Sequence, residues 1–144
     1  MKNKIRNLIY PNHIENMLPL VEELQTKYPS TIIGGSIGLY LHGVKLKRFK
    51  NYKGDIDLIS FKKIKIELEE SKELSSGCDF QDQGKRNGIK VDVCYDMSAK
   101  FDSILFKGVI YHVNPLHVIL HHKCKYDRHK DTIDLREMLK LKKK

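Results

Sequence analysis

A strand with two aspartates on one side is the feature that most constrains this chain. The segment "GDIDLIS" (54–60) alternates Asp55 and Asp57 with the apolar residues Ile56 and Leu58. Residues two apart in a β-strand point to the same face, so the carboxylates share one face and the apolar side chains point to a core. Strands disfavour aspartate, and buried carboxylates are costly unless they are paired or bound to a metal. The pattern indicates either a metal site or two solvated aspartates on an edge strand.

A third carboxylate lies on a second predicted strand. The segment "IKVDVCYD" (89–96) alternates apolar and polar residues, and Asp92 lies on the polar face. If the two strands are neighbours, Asp92 approaches Asp55 and Asp57, and charges so close need a counter-ion. We therefore expect these three residues to bind two Mg²⁺ ions, or Mn²⁺ in their place, because hard cations take carboxylate oxygens and such pairs clamp a phosphoryl displacement.

A Gly-Gly turn precedes the aspartate pair. The segment "TIIGGS" (31–36) reads as a short strand, a turn and the start of a helix over 36–43, with Ser36 as a candidate N-cap. Glycines let the backbone approach a phosphate, and free N–H groups bind the anion. Gly34, Gly35 and Ser36 are therefore candidates to hold a triphosphate, although a tight turn before a helix is the commoner meaning of such a segment alone.

The remaining segments predict a small mixed fold. Periodicity predicts helices over 13–28, with Pro19 in the first turn of its firm part, and over 64–74, 115–126 and 130–144; strands are expected over 31–34, 55–61, 89–96 and 108–113. This order predicts an α/β (α+β) fold in which helices pack on a small mixed sheet. The length predicts one domain over 1–144, with a basic tail at about 140–144.

The charge of the chain favours polyanionic ligands. The net charge is +9, with part of the excess in "KLKRFKNYK" (45–53), where aromatic residues stand among the cations. Cations with interleaved rings suit a single-stranded nucleic acid or a triphosphate, and a solvated loop is the alternative. The candidate nucleic-acid-binding residues are Lys45, Lys47, Arg48, Lys50 and Lys53.

Three features bear on the cellular compartment. No apolar run approaches the roughly 20 residues that span a bilayer, and the N-terminus lacks the apolar region of a signal peptide. Cys78, Cys94 and Cys124 are odd in number and form no CxxC pair, which predicts reduced thiols. We therefore expect a cytoplasmic protein without a membrane partner.

The motifs together carry a resemblance. Gly34-Gly35-Ser36, Asp55-Ile56-Asp57 and Lys90-Val91-Asp92 resemble the nucleotidyltransferase superfamily of the DNA polymerase β type. The segment "NPLHVILHHKCKYDRHKDTIDLREML" (114–139) is similar to the ending of AbiEii-type toxin nucleotidyltransferases, and lincosamide and aminoglycoside nucleotidyltransferases have a similar ending. The resemblance implies a minimal nucleotidyltransferase fold.

This resemblance also implies a reaction. A nucleoside monophosphate would pass from a nucleoside triphosphate, such as ATP, to an acceptor hydroxyl, and pyrophosphate would leave. Asp55 and Asp57 would bind both metals, and Asp92 would bind the catalytic metal and help to deprotonate the acceptor.

Further roles are implied for the C-terminal helices. Lys123 would neutralise phosphate charge or contact the nucleotide, and a downstream aspartate, Asp131 or Asp134, would line the nucleotide site. His117 and His121 are four residues apart on a predicted helix, which is also the spacing of metal ligands, but the glutamate of a metalloprotease motif is missing beside them. We therefore favour a position of His121 facing the nucleotide site over a transition-metal site.

The acceptor remains open at this point. The basic charge favours an RNA or tRNA end, and an AbiEii-like role would make the protein a toxin of a toxin–antitoxin or phage-defence system with an antitoxin partner. An antibiotic or a protein hydroxyl is the alternative acceptor. A non-catalytic nucleotide-binding or RNA-binding module of the same fold is the alternative of another class.

Overall fold

A mixed seven-stranded sheet organises the chain. The computed structural model describes residues 8–9, 13–46, 48–49, 54–74, 81–126 and 129–142. The helices in these ranges are α1 (His13–Lys27), α2 (Gly35–Leu41), α3 (Leu116–Tyr126) and α4 (His129–Lys142). The strands are β1 (Leu8–Ile9), β2 (Thr31–Ile33), β3 (Arg48–Phe49), β4 (Asp55–Ser60), β5 (Glu69–Leu74), β6 (Gln81–Arg86), β7 (Ile89–Tyr95), β8 (Asp102–Phe106) and β9 (Val109–Val113). The predicted α/β class, a mixed sheet with helices packed on it, is confirmed.

Strand order brings distant segments together. The order across the main sheet is β5-β6-β7-β4-β2-β9-β8, and β1 and β3 pair separately. Strands β4 and β7 are parallel neighbours, as are β2 and β9, whereas the other pairs are antiparallel. The three carboxylates were expected to converge if their two strands were adjacent. Strands β4 and β7 are adjacent, so this condition is met.

The apolar side of β4 and β7 lies in the core. Ile56 and Leu58 are 0% and 1% exposed, and Val91 and Val93 are buried with them. Helix α1 contacts β2 and β9, while α2 contacts β4 and α3. The predicted alternation of Asp55 and Asp57 with Ile56 and Leu58 is confirmed, because the two apolar residues are buried and the two aspartates are only half-buried.

Two details of the first helices differ from the prediction. Pro19 lies inside α1 rather than in its first turn, because burial of an apolar face that includes Ile14 and Val21 outweighs the lost helix hydrogen bond. The N-cap of α2 is Gly34 and no side chain caps the helix, so the expectation of a Ser36 cap is wrong. The helix starts one residue earlier because the Gly34 amide donates to Asp57 O at 2.9 Å, which anchors the turn to β4.

The helix predicted over 64–74 is wrong. Residues 69–74 form β5, which pairs with β6 and is irregular between Glu69 and Lys72, where Glu70 has a φ of 51°. Local helix propensity is a weak preference that pairing partners override. Here β6 supplies the hydrogen-bonding partner, and Ile66, just before the strand, is 1% exposed in the core.

Cys94 is disulfide-bonded, so the expectation of reduced thiols is wrong for this residue. The side chains of Cys78 and Cys124 lie outside the described residues. In the described ranges, no helix combines the length and apolar character needed to cross a bilayer.

Candidate functional site

Three carboxylates meet on one face of the sheet. The parallel register places Asp57 directly opposite Asp92, and Asp55 opposite Lys90. Residues opposite each other on neighbouring strands point to the same side, so all three aspartates share a face. One oxygen from each of Asp55, Asp57 and Asp92 lies within 4.8 Å of the others, and all three residues are half-buried. The structure thus brings together the three aspartates that the sequence indicated.

The donor set suits a hard divalent cation. Every candidate ligand is a carboxylate oxygen, which is the ligand type that Mg²⁺ and Mn²⁺ prefer. Three carboxylates at this separation repel one another unless a cation neutralises them. The cluster could therefore hold a divalent metal ion, and its donor set fits the Mg²⁺ or Mn²⁺ expected from the sequence.

The Gly-Gly turn lies against the carboxylates. Gly35 has a φ of +59°, and a Cβ at this position would stand 2.1 Å from Asp57 Oδ2. Only glycine accepts both the left-handed backbone and this close approach. The turn backbone is therefore adjacent to the carboxylate cluster, and triphosphate binding by Gly34 and Gly35 stays a prediction.

Ser36, the third residue of the predicted phosphate-binding segment, is the second residue of α2 and is 3% exposed. Its contact with a phosphate stays a prediction.

Asp92 has partners at both carboxylate oxygens. Gln83 lies directly opposite Asp92 on β6, and its Nε2 donates to Asp92 Oδ1 at 2.6 Å. Lys90 Nζ lies 4.0 Å from Asp92 Oδ2. Sequence reasoning missed Gln83, because β6 reads "QDQGKR" and carries no apolar alternation that would predict a strand.

Asn114 is a second residue that the sequence did not indicate. It is 2% exposed. Its backbone amide donates to Ile33 O at 2.8 Å, and its backbone carbonyl oxygen accepts from His42 Nε2 at 2.7 Å. Its Nδ2 lies 3.1 Å from where a Cβ on Gly34 would be and makes no hydrogen bond to a described residue. Asn114 therefore packs directly behind the first glycine of the turn.

The predicted residues on the C-terminal helices are only partly described. His121 is exposed on α3, and Lys123 lies on the same helix with its side chain outside the described residues. Asp131 lies on α4 with its side chain likewise outside them, and Asp134 on α4 is 0% exposed. A nucleotide could contact Asp134 only after displacing what covers it. The roles of these four residues stay predictions.

Most side chains of the basic segment 45–53 also lie outside the described residues. Lys45 is exposed, and Arg48 belongs to β3, although its side chain is not among the described ones. Lys47, Lys50 and Lys53 lie outside the described residues. Nucleic-acid binding by this segment stays a prediction.

The fold is similar to that of a solved structure. The crystal structure of an antigenic nucleotidyltransferase-like protein from Paracoccidioides brasiliensis matches with a TM-score of 0.53 and 14% sequence identity, over 92% of this chain and 76% of that chain. At this identity the likeness shows the fold alone, which is nucleotidyltransferase-like. No family model matches the sequence, and no curated protein matches it.

Proposed function

We propose that this protein is a metal-dependent nucleotidyltransferase that moves a nucleoside monophosphate from a nucleoside triphosphate to an acceptor hydroxyl. One observation carries the proposal: within a nucleotidyltransferase-like fold, Asp55, Asp57 and Asp92 bring an oxygen each within 4.8 Å of the others. A solvated edge strand would not account for this convergence, because two separate strands contribute to it and a glycine turn lies against it.

The glycine turn would bind the triphosphate. Gly34 and Gly35 present backbone without side chains beside Asp57, and the first amides of a helix have no partner within the helix. A phosphate can approach such a backbone closely and accept hydrogen bonds from it. The turn would thereby orient the triphosphate next to the carboxylates.

The three carboxylates would hold two Mg²⁺ ions, which Mn²⁺ could replace. When bound, the metal supplies neutralisation of phosphate charge and polarisation of the reacting oxygens. The acceptor oxygen forms a bond to the α-phosphorus. The bond from that phosphorus to the oxygen between the α- and β-phosphates breaks, and pyrophosphate leaves. Asp92 takes the proton of the acceptor hydroxyl.

We further propose an RNA end, including a tRNA end, as the acceptor. The net charge of +9 favours a polyanion, since positive charge raises both the affinity for nucleic acid and the rate of encounter with it. A role as the toxin of a toxin–antitoxin or phage-defence system, restrained by an antitoxin protein, extends this proposal. Antibiotic and protein hydroxyls are the competing acceptors.

Label transfer tests the proposal. The protein is incubated with Mg²⁺ and each α-³²P-labelled nucleoside triphosphate in turn, with total RNA, protein and small-molecule fractions of a lysate as acceptors. We expect label on RNA with the wild type, none with Asp55→Asn, and full transfer with the control Asp102→Asn, which changes an exposed aspartate of β8 at the far edge of the sheet.

The other outcomes are equally informative. Label on protein or on a small molecule would replace RNA as the acceptor and keep the transferase. Binding of Mg²⁺-nucleotide without transfer to any fraction would favour a non-catalytic nucleotide-binding module. Absence of both binding and transfer would overturn the proposed function.

A further inference from the structure

A short hydrogen bond fixes the carboxylate of Asp92. Gln83 Nε2 donates to Asp92 Oδ1 at 2.6 Å, and the two residues lie directly opposite each other on β6 and β7. We propose that Gln83 is a positioning residue that holds one oxygen of Asp92 and so presents the other to the metal site. This inference rests on the proposed function, because it assigns a partner to one of its three ligands.

The torsion of the Asp92 side chain explains why such a partner is needed. The terminal torsion of aspartate is broad, so a carboxylate without partners samples many orientations. A hydrogen bond to an ionised carboxylate is stronger than one between neutral groups, and this one is short. The side chain of Asp92 is 17% exposed, which limits competition from water. Gln83 therefore restricts the orientation of Asp92 before any ion binds.

A purely structural role explains the contact less well. Strands β6 and β7 are already joined by a continuous register from Gln81↔Cys94 to Arg86↔Ile89. One more side-chain bond adds little to such a ladder. The contact instead involves the one carboxylate that β7 contributes to the cluster. Partners of metal ligands commonly orient the ligand and raise its affinity for the metal.

Mn²⁺ binding measured by electron paramagnetic resonance, without substrate turnover, tests the inference on the full chain. Gln83→Met keeps the length of the side chain and removes its donor. Gln25→Met is the matched control: Gln25 donates to Ile110 O at 3.1 Å and accepts from the His112 amide at 2.9 Å, away from the cluster. We expect Gln83→Met to weaken Mn²⁺ binding by about 10-fold and Gln25→Met to leave it unchanged.

Thermal unfolding in EDTA is measured on the same variants, to separate positioning from stability. A merely structural Gln83 would lower the unfolding midpoint and leave Mn²⁺ affinity unchanged in the folded protein, which would overturn the inference. Equal losses of Mn²⁺ affinity in Gln83→Met and Gln25→Met would also overturn it. If Gln83→Met does not fold, Gln83→Asn keeps a carboxamide that is one methylene too short, and the same loss of affinity is expected.

Asp55→Asn distinguishes failure of the inference from failure of the proposed function. If the wild type binds Mn²⁺, Asp55→Asn does not, and Gln83→Met binds as the wild type does, then only the inference is overturned. If the wild type itself binds no Mn²⁺ and transfers no label, the proposed function is overturned and the inference with it.

Discussion

The backbone of Gly35 lies against the side chain of Asp57, so closely that a Cβ at Gly35 would stand 2.1 Å from Asp57 Oδ2. The turn and the carboxylate cluster thus form one unit, although 22 positions separate the two residues in the sequence. The Gly34 amide, which donates to Asp57 O at 2.9 Å, fixes this contact from the backbone side. Any side chain at Gly35 must therefore displace a candidate metal ligand.

Gly35→Ala should abolish most of the activity while the protein still folds. The methyl group pushes the Asp57 carboxylate out of the cluster, and a displacement of this size at a reacting centre lowers the transfer rate by about 100-fold. The positive φ of 59° adds a conformational cost of roughly 1 kcal/mol to the free energy of folding. Label transfer and urea unfolding measure the two effects.

Gly108→Ala is the matched control for this substitution. Gly108 has a φ of +83°, but a Cβ there would meet nothing within 4 Å. The variant therefore pays the backbone cost without a clash, and its transfer rate should equal that of the wild type. Normal transfer by Gly35→Ala would contradict the proposed contact between turn and cluster.

Mg²⁺ should stabilise the folded protein, and the effect should depend on Asp55. A ligand that binds only the folded state at 100 times its Kd adds about 2.7 kcal/mol to the free energy of unfolding. Asp55→Asn removes one of three mutually repelling carboxylates, so we expect a higher melting temperature in EDTA and no further rise with Mg²⁺. Asp102→Asn should keep the wild-type response, and a Mg²⁺ effect that survives in Asp55→Asn would contradict the assignment.

Lys90 should compete with the metal. Its ammonium lies 4.0 Å from Asp92 Oδ2, and its side chain is 51% exposed, so it offsets the carboxylate charge yet can move away. Lys90→Met removes this cation. We expect Mn²⁺ to bind roughly a few-fold more tightly, because an exposed ion pair has an interaction energy that corresponds to a change of that size in affinity. Lys85→Met on β6 is the control, because Lys85 pairs with Glu70 at 3.4 Å instead. Weaker binding by Lys90→Met would mean that Lys90 supports the site.

Tyr111 should make stability sensitive to alkaline pH. It is 3% exposed, and burial, followed by the charge of Glu22, raises the pKa of its hydroxyl. The pKa of Tyr111 in the folded protein exceeds the unfolded value of about 10. Its contribution to the free energy of unfolding is therefore fully present below pH ~10 and is lost as the pH rises through the folded pKa. Urea unfolding should show a steeper alkaline loss for the wild type than for Tyr111→Phe, whereas parallel curves would contradict it.

Local patterns predicted the parts of the site that lie on single strands and turns. The alternation in "DIDLIS" placed Asp55 and Asp57 on one face, and the glycine pair placed a turn before α2. The same reasoning failed for β5, where a segment with helical periodicity became a strand because β6 pairs with it. Gln83 was missed for a related reason. Its strand, β6, is stabilised by pairing with β5 and β7 on its two sides, and its own sequence has no strand pattern.

The sequence by itself determined which face of each strand is acidic, because side-chain direction alternates with a local period of two residues. Only the tertiary structure decided that these faces meet. Asp57 lies opposite Asp92 because β4 and β7 pair in parallel in one particular register. A slip of one residue would turn every side chain of β7 to the other face and carry Asp92 into the core. The burial of Val91 and Val93 opposes such a slip, so the packing of the core sets the geometry of the site.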